Sequence, residues 1–99
     1  MICEIALLTI DPADAQAFEA AVAAAAPLFR AAAGCHAMGL ERSIDIPGRY
    51  RLVVRWESVE HHMVGFRQSE GFVSWRTLTS PYFTTPPEVE HVATVAQYF

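Results

Sequence analysis

Four histidines, spaced so that some must face inward, are the residues of this chain best suited to chemistry. His62 follows Val59 by three residues and precedes Phe66 by four, so the three share one stripe of a helix. His61 is rotated about 100° away and is expected in water. His91 alternates with Val89 and Ala93 on a last strand, and His36 with Met38 and Leu40 on an earlier one. Both are expected on the helix-facing side of a sheet. Imidazoles gathered around one cavity can move protons near neutral pH or meet a ligand. Each is equally well explained as a core histidine whose ring nitrogens are satisfied by local partners. His62 and His91 together form the candidate catalytic pair.

Trp56, Phe66, Phe72, Trp75, Tyr82 and Phe83 supply aromatic walls. Trp56, Phe66, Tyr82, His36 and Arg76 are the candidate substrate-binding residues. An enzyme that draws electrons from its own substrate needs a flat, dry cavity and a base that creates a phenolate or carbanion. The same rings serve equally as core and interface packing. Arg67 and Arg76 can anchor an anionic substrate, or form surface ion pairs with Glu57, Glu60 or Glu70. The histidine spacing matches no metal-ligand pattern, and no carboxylate is expected to point into the pocket. Cys3 and Cys35 lie in no C-x-x-C pair and read as reduced thiols. No cofactor or metal is called for.

The elements that must position these groups follow from periodicity. Residues 2–9 read as a strand, and Asp11-Pro12-Ala13-Asp14 as the start of a helix running to about Ala33, with Phe18, Val22, Ala25, Leu28 and Phe29 on one side. Residues 35–44 and 49–56 form a hairpin around Pro47-Gly48. Ser58 caps a second helix that Gly71 interrupts, and residues 88–96 form the last strand. The order β-α-β-β-α-β closes as an α+β, ferredoxin-like fold, a four-stranded antiparallel sheet with both helices on one face. Trp56 leads into the second helix, which assigns Tyr50, Leu52, Val54 and Trp56 to the helix side. The other face is then expected to hold Arg51 and Arg55 with Glu4, Ala6, Glu88 and Glu90.

The chain has 99 residues, 53% apolar, which predicts one domain over 1–99 and leaves the second sheet face in need of a cover. A homodimer through that face is expected. A net charge of −4 without clustered arginines argues against nucleic acid. The amino terminus enters a strand directly and no stretch reaches transmembrane length, so no membrane association is expected and a cytoplasmic location is.

Three segments carry a family resemblance: W-x-S-x-E-x-H-x-x-G-F-R at Trp56 to Arg67, S-x-x-F-x-x-W-R at Ser69 to Arg76, and P-x-V-E-H at Pro87 to His91. Together they resemble the antibiotic biosynthesis monooxygenase (ABM) superfamily of dimeric α+β barrels. The resemblance implies a homodimer with a ligand cavity in each subunit between sheet and helices. It also implies either cofactor-independent oxygenation of aromatic polyketides and quinols or haem degradation. Both chemistries commonly use a pocket asparagine, and this chain contains none. Ser69, Tyr82 or Arg76 could donate in its place. The resulting expectation is a monooxygenase acting on a small phenol or quinol. The alternatives are a non-catalytic ligand-binding or interaction dimer, or a haem-binding protein ligated by His62.

Overall fold

Strand β1, Ile2–Thr9, lies inside the sheet because its side chains are apolar on both faces, and the computed structural model, which describes residues 1–99, shows partners on either edge. A short 3₁₀ turn, Pro12–Asp14, opens the first helix, with the Asp11 carboxylate accepting from the Ala13 amide at 2.9 Å. Helix α1, Ala15–Arg30, buries Phe18, Val22, Ala25 and Phe29 at spacings of four, three and four. It stops before Ala33, and Gly34 at φ +80° turns the chain into the next strand. Pro27 lies within α1 at an exposed position, where the carbonyl it leaves unpaired is close to water.

Strands β2, Cys35–Arg42, and β3, Arg49–Trp56, form the anticipated hairpin. Gly48 is buried at φ +80°, and a Cβ there would collide with the Ile10 carbonyl, so only glycine fits this corner. The chain then makes a π-helical turn, His61–Phe66, followed by helix α2, Glu70–Thr79, capped by Ser69. The break therefore falls at residues 67–69, and Gly71 sits inside α2. Strand β4, Glu88–Val92, is shorter than the predicted 88–96.

The sheet order is β2-β3-β1-β4, all antiparallel, which is the ferredoxin-like arrangement anticipated from the element order. One face carries the core: Ala6, Leu8, Tyr50, Leu52, Val54 and Trp56 meet Phe18, Phe29, Phe66 and Trp75 from the helices. The register corrects one expectation. Glu4 pairs with Val54 and Ala6 with Leu52, so both lie on the helix side rather than with Arg51 and Arg55. The opposite face holds Cys3, Ile5, Leu7 and Val53, all half-buried, beside exposed Arg51, Arg55, Glu88 and Glu90. No helix is long and apolar enough to cross a membrane.

Candidate functional site

The site begins with an acid that sequence reasoning placed on the wrong face. Glu4 stands on β1 between Val54 of β3 and His91 of β4 and is only 5% exposed. A buried carboxylate needs donors, and the sheet register supplies one: the Trp56 indole N–H donates to Glu4 Oε1 at 3.0 Å. His62 descends from the π turn and places Nε2 3.2 Å from the same oxygen. Its other nitrogen, Nδ1, lies 2.8 Å from Nε2 of His91. The His62 ring also stacks on the Trp56 indole, centroids 5.3 Å apart at 18°. The result is a continuous polar chain, Glu4–His62–His91, set in an aromatic wall.

Local geometry explains why these groups meet. In an α-helix, residues five apart point about 140° away from each other, whereas a π turn, closed here by the Arg67 amide donating to the His62 carbonyl at 2.8 Å, brings them to one side. His62 and Arg67 accordingly line the same cavity. Ser58 fixes the start of the turn by accepting from the His61 amide, and its hydroxyl meets His61 Nδ1 at 2.7 Å. That side chain is half-buried beside Gly34, not free in water as its helical phase suggested.

Burial sets the charge states. Desolvation lowers the His62 pKa from 6.5 to about 4, and the neighbouring His91 and Arg67 push in the same direction. Desolvation raises the Glu4 carboxyl above its ordinary value, opposed by the Trp56 hydrogen bond and by the Arg67 charge. A neutral His62 whose Nε2 faces the Glu4 carboxyl is assigned its proton on that nitrogen. Nδ1 is then an acceptor and His91 Nε2 is the donor, an assignment inferred from the network. His62 uses opposite edges of its ring for Glu4 and His91, so these three side chains cannot converge on one metal ion; no group of three ligands does so.

Beside this chain lies a cavity of about 230 Å³ between sheet and α2, with Glu4, Ala6, Leu52, His62, Phe72 and Trp75 among its walls and the exposed Arg67, Arg76, Pro86 and Pro87 at its rim. Neither arginine forms an ion pair with an acidic side chain. Arg67 lies over the Phe72 ring, 5.7 Å from its centroid.

The predicted residues distribute unevenly around this space. His62 and Arg76 line it, while His91 stands behind His62 and Trp56 behind Glu4. Phe66 packs into the core against Phe29, at 4.6 Å, and does not fill the cavity. Tyr82 turns toward Phe18, at 6.1 Å, and its neighbour Phe83 takes the lining position. His36 is not part of the site. A bulge between Cys35 and Ala37 displaces it from the alternation, and it pairs with Glu57 at 3.3 Å in the open. Ser69 is occupied as the cap of α2 and cannot stand in for a pocket amide. Glu4 is the residue the sequence reading missed, and the expectation of a pocket without a carboxylate is overturned by it.

A fold of this topology with a polar chain at the wall of a helix–sheet cavity has close counterparts. The family model for antibiotic biosynthesis monooxygenase matches residues 1–78, and the chain belongs to that family. An uncharacterized protein of Bacillus subtilis (strain 168), YczJ, is 35% identical over 91 residues, covering 92% of this chain and 96% of its own. A crystal structure from Bordetella bronchiseptica, provisionally assigned as an antibiotic biosynthesis monooxygenase, is 50% identical with a TM-score of 0.93, over 96% of this chain and 97% of that one. SnoaB, a cofactor-independent oxygenase from Streptomyces nogalater solved as a mutant, superposes with a TM-score of 0.77 over 98% of this chain and 95% of its own. At 20% identity that likeness shows the shared fold alone.

Proposed function

We propose that this protein is a cofactor-independent monooxygenase acting on a small, electron-rich hydroxyarene of the phenol or quinol type. The observation that supports it best is the Glu4–His62–His91 chain opening onto an aromatic-walled cavity. A cavity of about 150 Å³ accommodates benzene, so about 230 Å³ suits one or two rings. His62 and His91 belong to the proton-handling machinery, Trp56 fixes its geometry, and the unpaired Arg76 meets the developing oxyanion where other family members are expected to use an amide. His62 Nε2 lies 3.2 Å from the Glu4 carboxyl and Nδ1 is engaged by His91, so iron ligation by His62 would have to displace one of these contacts. Oxygen consumption with a panel of hydroquinones and anthrones tests the reading. We expect turnover that falls at least about tenfold in His62→Ala, less than the about 10²–10⁴-fold that loss of the proton-transferring group itself costs. Equal rates in the two proteins, or no uptake with any substrate, would sink it.

The open sheet face is the proposed homodimer interface. Half-buried Ile5, Leu7 and Val53 form an apolar strip, and Arg51, Arg55, Glu88 and Glu90 border it with charges of both signs, which a second copy can complement. Sedimentation equilibrium should give a dimer for the wild type and a monomer for Leu7→Asp. A wild-type monomer at micromolar concentration refutes the interface.

A further inference from the structure

We infer that Glu4, through its Oε2 oxygen, is the group that accepts the substrate's hydroxyl proton, and that His62 is a positioning residue that holds the carboxylate in place. The inference rests on the oxygenase reading and assigns its base. The geometry points away from His62 itself. Its Nδ1 is engaged by His91 at 2.8 Å and its Nε2 lies 3.2 Å from Glu4 Oε1, so both ring nitrogens sit against polar neighbours.

Glu4 differs in this respect. Both Trp56 and His62 address one oxygen, Oε1. Oε2 carries no hydrogen bond, yet no buried polar side-chain atom in the protein lacks a partner, so Oε2 must reach open space; the space beside it is the cavity that Glu4 lines. A carboxylate with one oxygen fixed and the other open is a base aimed by its neighbours. Trp56 faces it from β3, His91 from β4, His62 and Arg67 from the π turn and its end, Arg76 from α2 and Cys35 from the start of β2. Burial raises the proton affinity of the Glu4 carboxyl, which strengthens it as a base, while the Trp56 hydrogen bond and then the Arg67 charge oppose that rise.

The chemistry balances with dioxygen as co-reactant. The phenolic O–H breaks, its proton moves to Glu4 Oε2, and the electron pair stays on the aryl oxygen. The electron-rich ring carbon, ortho or para to that oxygen and carrying a hydrogen, passes two electrons to dioxygen in single-electron steps and forms a C–O bond. The resulting peroxide anion takes the proton back from Glu4. Loss of that ring hydrogen as a proton and cleavage of the O–O bond release water and leave a carbonyl, so a phenol plus dioxygen gives a quinone plus water. The substrate is oxidised by four electrons and dioxygen is reduced by four.

Infrared difference spectroscopy with 2,4,6-trifluorophenol, whose ortho and para carbons carry no hydrogen, recorded below that phenol's own pKa so that it arrives with its O–H intact, isolates the proton transfer from turnover. Binding to wild type should generate a protonated-carboxyl band together with the phenolate absorbance. The band should be absent in Glu4→Gln, shift in frequency in Glu4→Asp and persist in His62→Asn. Failure of the phenol to bind, binding without the band, or a band unchanged in Glu4→Gln overturns the assignment. With an oxidisable quinol, Glu4→Gln should lower kcat by about 10²–10⁴-fold. His62→Asn should lose less and keep the acid limb of its pH–rate profile, which would disappear if His62 were itself the base. Absence of oxygen uptake with every quinol sinks the oxygenase reading, while the infrared result still decides whether Glu4 takes the proton.

Discussion

Trp56→Ala is expected to bring the protein to the edge of unfolding. Trp56 is fully buried and touches both layers, with ring centroids 5.5 Å from Phe66 and 6.5 Å from Phe29, so truncation leaves a cavity between helices and sheet. Removing such a side chain costs about 3–5 kcal/mol. The loss also strips Glu4 of its indole donor, and an underpaired buried carboxylate adds about 1–3 kcal/mol. Domains of this size have about 5–15 kcal/mol in total. Urea unfolding followed by circular dichroism reads the change in midpoint. Trp56→Phe separates the two contributions, since it keeps most of the ring and removes only the N–H; it should lose the smaller amount. A Trp56→Phe protein as stable as wild type would mean that the indole–carboxylate contact contributes nothing.

Acid should weaken the fold well before ordinary carboxylates titrate, and His62 is the reason. Its folded pKa of about 4 lies below the unfolded value of 6.5. Above pH 6.5 the ring is neutral in both states and pH has no leverage through it. As pH falls from 6.5 to 4, the unfolded chain binds a proton that the folded protein refuses, and each unit costs about 1.4 kcal/mol. The full window amounts to about 3 kcal/mol. Glu4 acts with the opposite sign. Its folded pKa is raised above 4.5, so its contribution is present below 4.5 and is lost as pH rises through the folded value. That offsets part of the histidine's loss as pH falls through the folded Glu4 value. His62→Phe, which can still stack on Trp56, should flatten the profile between pH 4 and 6.5. An unchanged slope in that variant would show that the histidine is not the cause.

Element order, the hairpin and the inward stripe of His62 were legible because each rests on a local period: alternation in strands, three and four in helices, and turn residues between them. The face of Glu4 was not. Ile2, Ala6 and Leu8 alternate with Cys3, Ile5 and Leu7, so both sides of β1 look apolar and only pairing with β3 chooses between them. Counting back from Trp56 through the antiparallel register would have placed Glu4 beside the indole, since Trp56 pairs with Ile2 and Val54 with Glu4. His36 failed for a related reason. A bulge adds one residue and shifts the phase of what precedes it, and nothing in Cys35-His36-Ala37 announces it. The π turn was hidden because His62 and Phe66 keep the spacing that an ordinary helix would give them.

Cys35, near the carboxylate of Glu4, has its thiol pushed above the usual range, first by burial, with the acid's charge adding to it and a contact to the Ala37 carbonyl opposing it. Sulfur reacts with oxidants as the thiolate, so a thiol held protonated is a slow target. Cys35 is therefore held toward the form that oxidants attack slowly, chiefly by its burial at the start of β2 and only secondarily by the Glu4 charge.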